Sequence, residues 1–248
     1  ELSERNLNTS RNAGIAEATG DVIALVGQDS RIESNWVDSV EAAISTGADV
    51  VTGPVHRRVS GGVTTESLET VTIAGRAVRY FDGGNVAFTR ETLEALDGFD
   101  EYLETGGARD AAHRLAGADR QVAWEREAVV LRAEQDDVRH RVGDDDPRTV
   151  QGLKFRSLAY RLAKNYGLRL RILYRILRHV VGSGVRETWN VLGRNGTVSA
   201  WFGTGWSVFS NTVAGTQDGL SARMADSSPR RNPHGMSTTS RPVARDER

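Results

Sequence analysis

Apolar residues in the first half of the chain fall into short runs separated by helix-like spacing. Asn8, Thr9 and Ser10 offer caps for a helix carrying Ala13, Ile15, Ala16 and Ala18, and Gly20 stands where a C-terminal glycine stop belongs. Val22-Ile23-Ala24-Leu25-Val26 is then apolar without alternation, which predicts a strand buried on both faces, as in a parallel sheet. Ser34 can cap a helix with Trp36, Val37, Val40 and Ile44 on one face, ended by Gly47. Asp49 to Pro54 reads as a strand and its stop. Residues 56–82 are ambiguous: Gly61-Gly62 marks a turn, and Glu66 to Tyr80 has the length of a helix. Gly84 to Thr89 predicts a strand, Arg90 to Leu96 a short helix closed by Gly98, and Ala108 to Ala116 another helix. Val122-Ala123-Trp124 and Ala128 to Leu131 predict short closing strands. Strands alternating with helices argue for an α/β layer structure. An apolar strand reached within about twenty residues also suggests that earlier elements of the pattern belong before Glu1.

The pattern changes near Gly143-Asp144-Asp145-Asp146-Pro147. Residues 151–181 place Leu153, Leu158, Leu162, Leu170, Leu173, Leu177 and Val181 among basic positions. That is either a basic amphipathic helix on a membrane surface or a helix docked on the first domain. Residues 195–217 hold no charge and include Trp201, Phe202, Trp206 and Phe209, yet are polar enough to suggest an interfacial segment rather than a span. From Asp218 onward Ser, Arg, Pro and Gly predominate, which predicts disorder. The expected division is 1–143, 144–217 and 218–248.

Charge sharpens this division. The chain's net charge is −1. Residues 1–150 carry 28 Asp and Glu against 16 Lys and Arg, and residues 151–248 carry 5 against 16. The two parts therefore have different neighbours. Lys154 and Lys164 are the only lysines among 32 basic residues. An acidic, lysine-poor half fits a salt-adapted protein, although coding bias toward Arg explains the lysine scarcity alone. The absence of Cys excludes disulfide scaffolds, thiol nucleophiles and Cys-ligated zinc. The chain begins with Glu, and no charged-then-apolar leader follows, so no signal peptide is expected. The basic residues of the second part are spaced by aliphatic ones at helical period, unlike a nucleic-acid stacking platform, and no nucleic-acid partner is expected.

Four segments could carry chemistry. Leu25-Val26-Gly27-Gln28-Asp29-Ser30 ends a strand in a carboxylate, where open α/β sheets bind ligands, although such an Asp also serves as a turn former. Arg11 lies at a helix start, which favours anions, or in a solvated first turn. Gly83-Gly84-Asn85 permits close backbone approach to a ligand, or is a plain turn. Gly107-Ala108-Arg109-Asp110 opens a helix on which Asp110, His113 and Arg114 share a face, as a general base with its neighbours or as a helix-dipole acid in a surface pair.

In order and spacing these segments resemble the family 2 glycosyltransferases over residues 5 to about 135. The stretch Ser10-Arg11-Asn12-Ala13-Gly14-Ile15 through Gly20-Asp21-Val22-Ile23-Ala24-Leu25-Val26-Gly27-Gln28-Asp29 matches the family's motif ending in DxD. Trp36 matches its following Trp. Gly84-Asn85-Val86-Ala87-Phe88-Thr89-Arg90 through Asp97-Gly98-Phe99-Asp100-Glu101 matches its donor-side stretch. Gly107-Ala108-Arg109-Asp110 through His113-Arg114-Leu115-Ala116-Gly117-Ala118 matches its acceptor motif.

The resemblance implies a GT-A-like, Rossmann-like fold with a mixed, mostly parallel sheet flanked by helices, incomplete at its N-terminus, plus a helical C-terminal region. It implies inverting transfer of a sugar from a nucleotide-diphosphate donor to a hydroxyl acceptor, a lipid-linked saccharide or polysaccharide, at the inner, cytoplasmic face of the cell membrane. Asp110 would be the base. Arg11, Asn12, Asp29 and Asn85 would bind the donor, with Gly84, Arg109 and His113 on the acceptor side. Asp29 would hold Mg2+ or Mn2+. The sequence departs from the family at Gly27 and Gln28, where the first acid of DxD is lost, at Arg109 beside the expected base, and at Arg132, near the place of a histidine. These departures keep an alternative open: an inactive, membrane-associated glycosyltransferase-like module.

Overall fold

The computed structural model describes residues 6–59, 62–66, 68–132, 147–193 and 198–239. They divide into two compact units. The first takes in Glu1–Leu103, Gly107–Gln135 and Ser228–Arg248, and the second Glu104–Gly106 and Asp136–Ser227.

The first unit begins with α1 (Leu7–Glu17), capped by Asn6, whose side chain accepts from the Asn8 N–H at 2.9 Å. Strands β1 (Val22–Val26) and β2 (Ser30–Ile32) precede α2 (Trp36–Ser45). Then come β3 (Val50–Thr52), β4 (Val55–Val59), β5 (Gly62–Glu66), β6 (Glu69–Ile73), β7 (Arg76–Tyr80) and β8 (Asn85–Thr89). Helices α3 (Arg90–Leu96) and α4 (Gly107–Gly117) lead to β9 (Val122–Trp124) and β10 (Val130–Arg132). One four-stranded sheet has the order β1-β8-β3-β9, another the order β2-β10-β4-β5, and β6 pairs with β7. The unit is thus α/β, with mixed sheets flanked by helices. Its core sets Trp36, Val40 and Ala43 of α2 against Val51, Ala87, Ala128 and Val130. Each large side chain of that set contributes about 1.5–3 kcal/mol of apolar burial.

Several expectations change. The strand expected to be buried on both faces, β1, buries only Ile23 fully, and Val22 and Val26 are exposed. It pairs with β8 in antiparallel register, Val26 opposite Asn85. Because β8 also runs antiparallel to β3, parallel pairing in the two larger sheets is confined to β3–β9 and β4–β10 among the described strands. The expected helix over 66–80 is instead the β6–β7 hairpin. Thr70, Val71, Thr72 and Ile73 are β-branched and favour extended backbone. Ala74 and Gly75 take φ of 51° and 85°, the left-handed pair a tight hairpin turn requires. The expected boundary at 143 and the Gly61 turn lie outside the described residues.

The second unit contains α5 (Pro147–Tyr166), α6 (Leu170–Gly193) and α7 (Val198–Ala225). Gly167, at φ 71°, breaks the helix expected to run continuously through 151–181. Helices α5 and α7 approach backbone to backbone, since a Cβ added at Gly215 or Gly219 would run into the carbonyl oxygens of Arg156 or Tyr160. Within this unit Tyr160, Leu162 and Ala163 of α5 are buried. No helix among the described residues is long and apolar enough to cross a membrane.

The disorder expected from Asp218 is not found over the described part of that segment. Residues 218–225 continue α7, because close packing, not composition, decides their state. Residues 228–239, with α8 (Met236–Thr239), belong to the first unit. There the buried Asn232 donates to the carbonyls of Leu96 at 3.2 Å, Asp97 at 2.8 Å and Gly98 at 3.3 Å. These groups lie at the end of α3, where Asp97 and Gly98 are left-handed and leave carbonyls for capping.

At the start of β3, Asp49 ties three segments together. It accepts from the Gln121 N–H at 2.7 Å, Arg120 at 2.9 Å and Thr92 Oγ1 at 3.3 Å. Burial pushes this carboxyl upward, but the bonds from Gln121 and Arg120 outweigh it and hold it below the usual carboxylate range. A carboxyl whose folded pKa lies below its unfolded value stabilises fully above the unfolded value and loses that contribution as pH falls through the folded one. Asp49→Asn is therefore expected to lower the urea midpoint at pH 7, with the gap to wild type closing in acid below the ordinary carboxylate range. Paired urea titrations across pH check this.

Candidate active site

Beyond the last residue of β1 the chain turns through Gly27-Gln28-Asp29, with the Ser30 N–H donating to Gly27 O at 3.0 Å. The antiparallel register of β1 and β8 brings this turn against Asp82-Gly83-Gly84, and the Gly27 N–H donates to Gly84 O at 3.0 Å. A side chain at either glycine of the second loop would first meet the far end of an arginine. A Cβ at Gly84 would lie 2.9 Å from Arg132 Nη2, and one at Gly83 would lie 2.6 Å from Arg11 Nη2 and 3.1 Å from Ala108 Cβ.

Arginines line the meeting of the two loops. Asp82 Oδ1 accepts from its own loop's Gly84 N–H at 2.7 Å and from Arg132 Nη2 at 3.1 Å, and Asp82 Oδ2 lies 3.9 Å from Arg57. Arg132 ends β10, with Arg57 of β4 beside it on one flank and Ser30 of β2 on the other. Arg11 Nη2 donates to Gly83 O at 2.9 Å, and its guanidinium lies over the Phe99 ring. Burial pushes the Arg11 pKa down, while the charge on Asp82 acts in the opposite direction. Arginine stays charged under any such shift.

Of the residues expected from sequence, Arg11, Asp29 and Gly84 meet here. The others do not. Asn12 is buried and clamps the loop after α3: Nδ2 donates to Phe99 O and Glu101 Oε1, each at 2.8 Å, and Oδ1 accepts the Phe99 N–H at 2.8 Å. Asn85 is fully buried. It accepts from Trp36 Nε1 at 2.9 Å and donates to the carbonyls of Gly53 and Pro54 at 3.1 Å and Ala128 at 2.9 Å. Both amides knit loops together rather than face a ligand. Arg109 lies at the surface, 3.5 Å from Glu69 and over the Tyr80 ring. His113 is buried, with Nε2 3.3 Å from Tyr80 Oη.

Asp110 lies furthest from the expected open setting. Its side chain has no exposed surface and bonds Arg114 Nε at 2.9 Å. Arg114, equally buried, spends its other nitrogens on Leu96 O at 2.7 Å and Gly98 O at 2.8 Å. This is an i, i+4 ion pair that anchors α4 to the end of α3. In this arrangement the carboxylate is closed off from solvent, whereas a general base must touch the acceptor hydroxyl. The residue of the first α4 turn that lies against Gly83 is Ala108. Sequence reasoning missed Asp82, Arg57 and Ser30. The signal for Asp82 was an acid directly before two glycines, the pattern of an Asx turn.

Hard cations want several oxygen ligands. Asp29 offers one carboxylate, and a cation bridging to a diphosphate would take its remaining ligands from phosphate and water. Among the described residues no group of three or more His, Cys, Asp or Glu could hold a metal ion by itself.

Beyond the end of β1, then, the Gly27 turn, the Asp82-Gly83-Gly84 loop and Arg11, Arg57 and Arg132 lie together. Residues 2–99 match Glycosyl transferase family 2. They include Arg11, both loops and Arg57. No curated protein matches the chain. Among solved structures it is similar to the mannosyltransferase PcManGT from Pyrobaculum calidifontis, described in complex with GDP-Man and Mn2+. The identity is 14% and the TM-score 0.44, covering 92% of this chain and 69% of that one.

Removing one partner of the α4 pair leaves a buried charge without its counterion, at a cost of about 3–5 kcal/mol. Asp110→Ala and Arg114→Ala are each expected to lower the unfolding free energy by about that much. The double variant should cost much less than their sum. A double-mutant cycle by urea denaturation checks it.

Proposed function

We propose that this chain is a glycosyltransferase that takes a sugar from a nucleotide-diphosphate donor. The observation that carries the reading is the crevice of Arg11, Arg57, Arg132 and the Gly27 and Gly84 loops, the larger part of it inside the family 2 segment. In the reaction an acceptor oxygen bonds to the anomeric carbon as the bond to the diphosphate oxygen breaks on the opposite side, and the configuration inverts. Negative charge grows on the leaving diphosphate, and preorganised guanidiniums are suited to stabilise it. Gly83 and Gly84 leave backbone surface against which the donor can lie. Asp29, at the crevice, helps orient the donor. The acceptor proton goes to a carboxylate other than Asp110, unless α4 rearranges to release that group.

That burial favours a second reading, in which the chain binds a donor without transferring its sugar. Ala108, where the first turn of α4 meets Gly83, supports it. Release of nucleoside diphosphate from a panel of UDP- and GDP-sugars separates the two. The first reading expects turnover with at least one donor, and about a hundredfold loss of kcat/KM in Arg132→Ala, the scale of losing one charge-stabilising group. Donor binding with no turnover favours the second.

We further propose that the acceptor is a lipid-linked saccharide at the inner face of the cell membrane. Helix α6 leaves Leu170, Leu173, Tyr174, Leu177 and Val181 exposed on one stripe, flanked by Arg169, Arg171 and Arg178. Such a stripe can lie in an anionic interface without crossing it. The full chain is expected to co-sediment with phosphatidylglycerol vesicles more than with phosphatidylcholine ones. Leu173→Asp with Leu177→Asp should weaken that binding at least about tenfold, given the apolar area lost.

A further inference from the structure

Residues 97–103, after α3, form neither helix nor strand, so their backbone groups depend on partners from elsewhere in the chain. Two segments supply them. From α1, Asn12 bonds both the N–H and the carbonyl of Phe99, and Asn8 Nδ2 donates to Leu103 O at 2.7 Å. From the C-terminal return, the Met236 N–H donates to Asp97 O at 3.1 Å and the Ser237 N–H to Asp97 Oδ1 at 2.8 Å. His234 O accepts the Glu101 N–H at 3.0 Å, and the His234 ring stacks on Tyr102 with centroids 5.7 Å apart. Asn232 adds its bonds to Leu96, Asp97 and Gly98.

The two segments meet at Gly98. A Cβ there would lie 2.5 Å from Asn12 Oδ1 and 2.6 Å from Met236 Cγ, so the missing side chain leaves the room in which they come together. Arg11 is the neighbour of Asn12 in α1. Its guanidinium lies over the Phe99 ring, 5.2 Å from the centroid, and donates to Gly83 O. Phe99 therefore holds Asn12 by its backbone and Arg11 by its ring, while the C-terminal return holds the residues on either side of it.

We infer that Ser228–Thr239 is a strap that sets the position of Arg11 at the Gly83 loop, acting through residues 97–101 and Asn12. Asn232, Met236 and Ser237 are its positioning residues. Lifting the strap would weaken donor binding without anything entering the crevice. That consequence rests on the donor reading above; the placement of α1 does not.

Two measurements on the full chain test it. Hydrogen exchange without ligand comes first. Asn232→Ala is expected to speed exchange in α1 and at Phe99 at least about fivefold, while α2 and β3 keep wild-type rates. Isothermal titration with UDP, GDP and ADP comes second. The same variant should weaken nucleotide binding about fivefold, the low end for coupled sites, but less than about twofold in the Arg11→Ala background. Ser237→Ala, at an exposed residue, gives the same pattern should Asn232→Ala fail to fold. Unchanged exchange in α1, or exchange that rises equally in α2 and β3, overturns the inference. So does an equal loss of affinity with and without Arg11. If no form binds any nucleotide while α1 exchanges faster as expected, the donor reading falls and the strap's hold on α1 stands.

Discussion

The arrangement of this chain's candidate site depends on one backbone contact, the hydrogen bond from the Gly27 N–H to Gly84 O. It forms because β1 and β8 run antiparallel in a register that sets Val26 opposite Asn85. A one-residue slip would turn every side chain of β8 to the other face and carry Asn85 out of its bonds to Trp36, Gly53, Pro54 and Ala128. Asn85 thereby fixes the register, and the register fixes the crevice. The residue that looked like a ligand from sequence acts one step removed, by placing the loop that carries Asp82.

The same division of labour holds around α4. An acid and an arginine four residues apart are often a solvated pair of small value. Here neither side chain reaches solvent, and the guanidinium's other nitrogens satisfy two carbonyls left over at the end of α3. Asn232 donates to those same two carbonyls and to Asp97 O from the far end of the sequence. The left-handed Asp97-Gly98 turn is therefore a junction where α3, α4 and the C-terminal segment are held together by polar bonds. Such groups are committed to architecture. Releasing Asp110 for chemistry would leave Arg114 charged and buried, which is why the position reads as structural.

How much of this was legible in the sequence differs by element. The run Val22–Val26, the helix around Trp36 and the strand at Asn85 could be read from periodicity, because burial imposes it. The hairpin of β6 and β7 could not, since Glu69, Thr70, Arg76 and Arg79 offered no clean alternation, and the left-handed Ala74 is not a residue that announces a turn. The C-terminal return was hidden for a different reason. Its composition is polar, and its order comes from a few specific bonds such as those of Asn232, which no local pattern encodes. In the site, motif matching located the loops, while the structure sets Asp110 against Arg114 and turns Asn12 and Asn85 to neighbouring backbone. Spacing alone cannot tell an Asp that faces a crevice from one that faces its own helix's arginine.

The charge of the crevice runs against that of its surroundings. The first 150 residues are strongly acidic as a whole. Such a field would repel a nucleotide diphosphate at long range, yet at physiological ionic strength the screening length is about 8 Å. Beyond that distance the excess of Asp and Glu is muted, and within it the ligand meets the guanidiniums of Arg11, Arg57 and Arg132. Partly buried charges are screened less than surface ones. Salt therefore weakens the unfavourable long-range term more than the favourable contact term, although contact too is weakened as salt rises further. Close to the arginines the local field, and not the overall charge, therefore dominates.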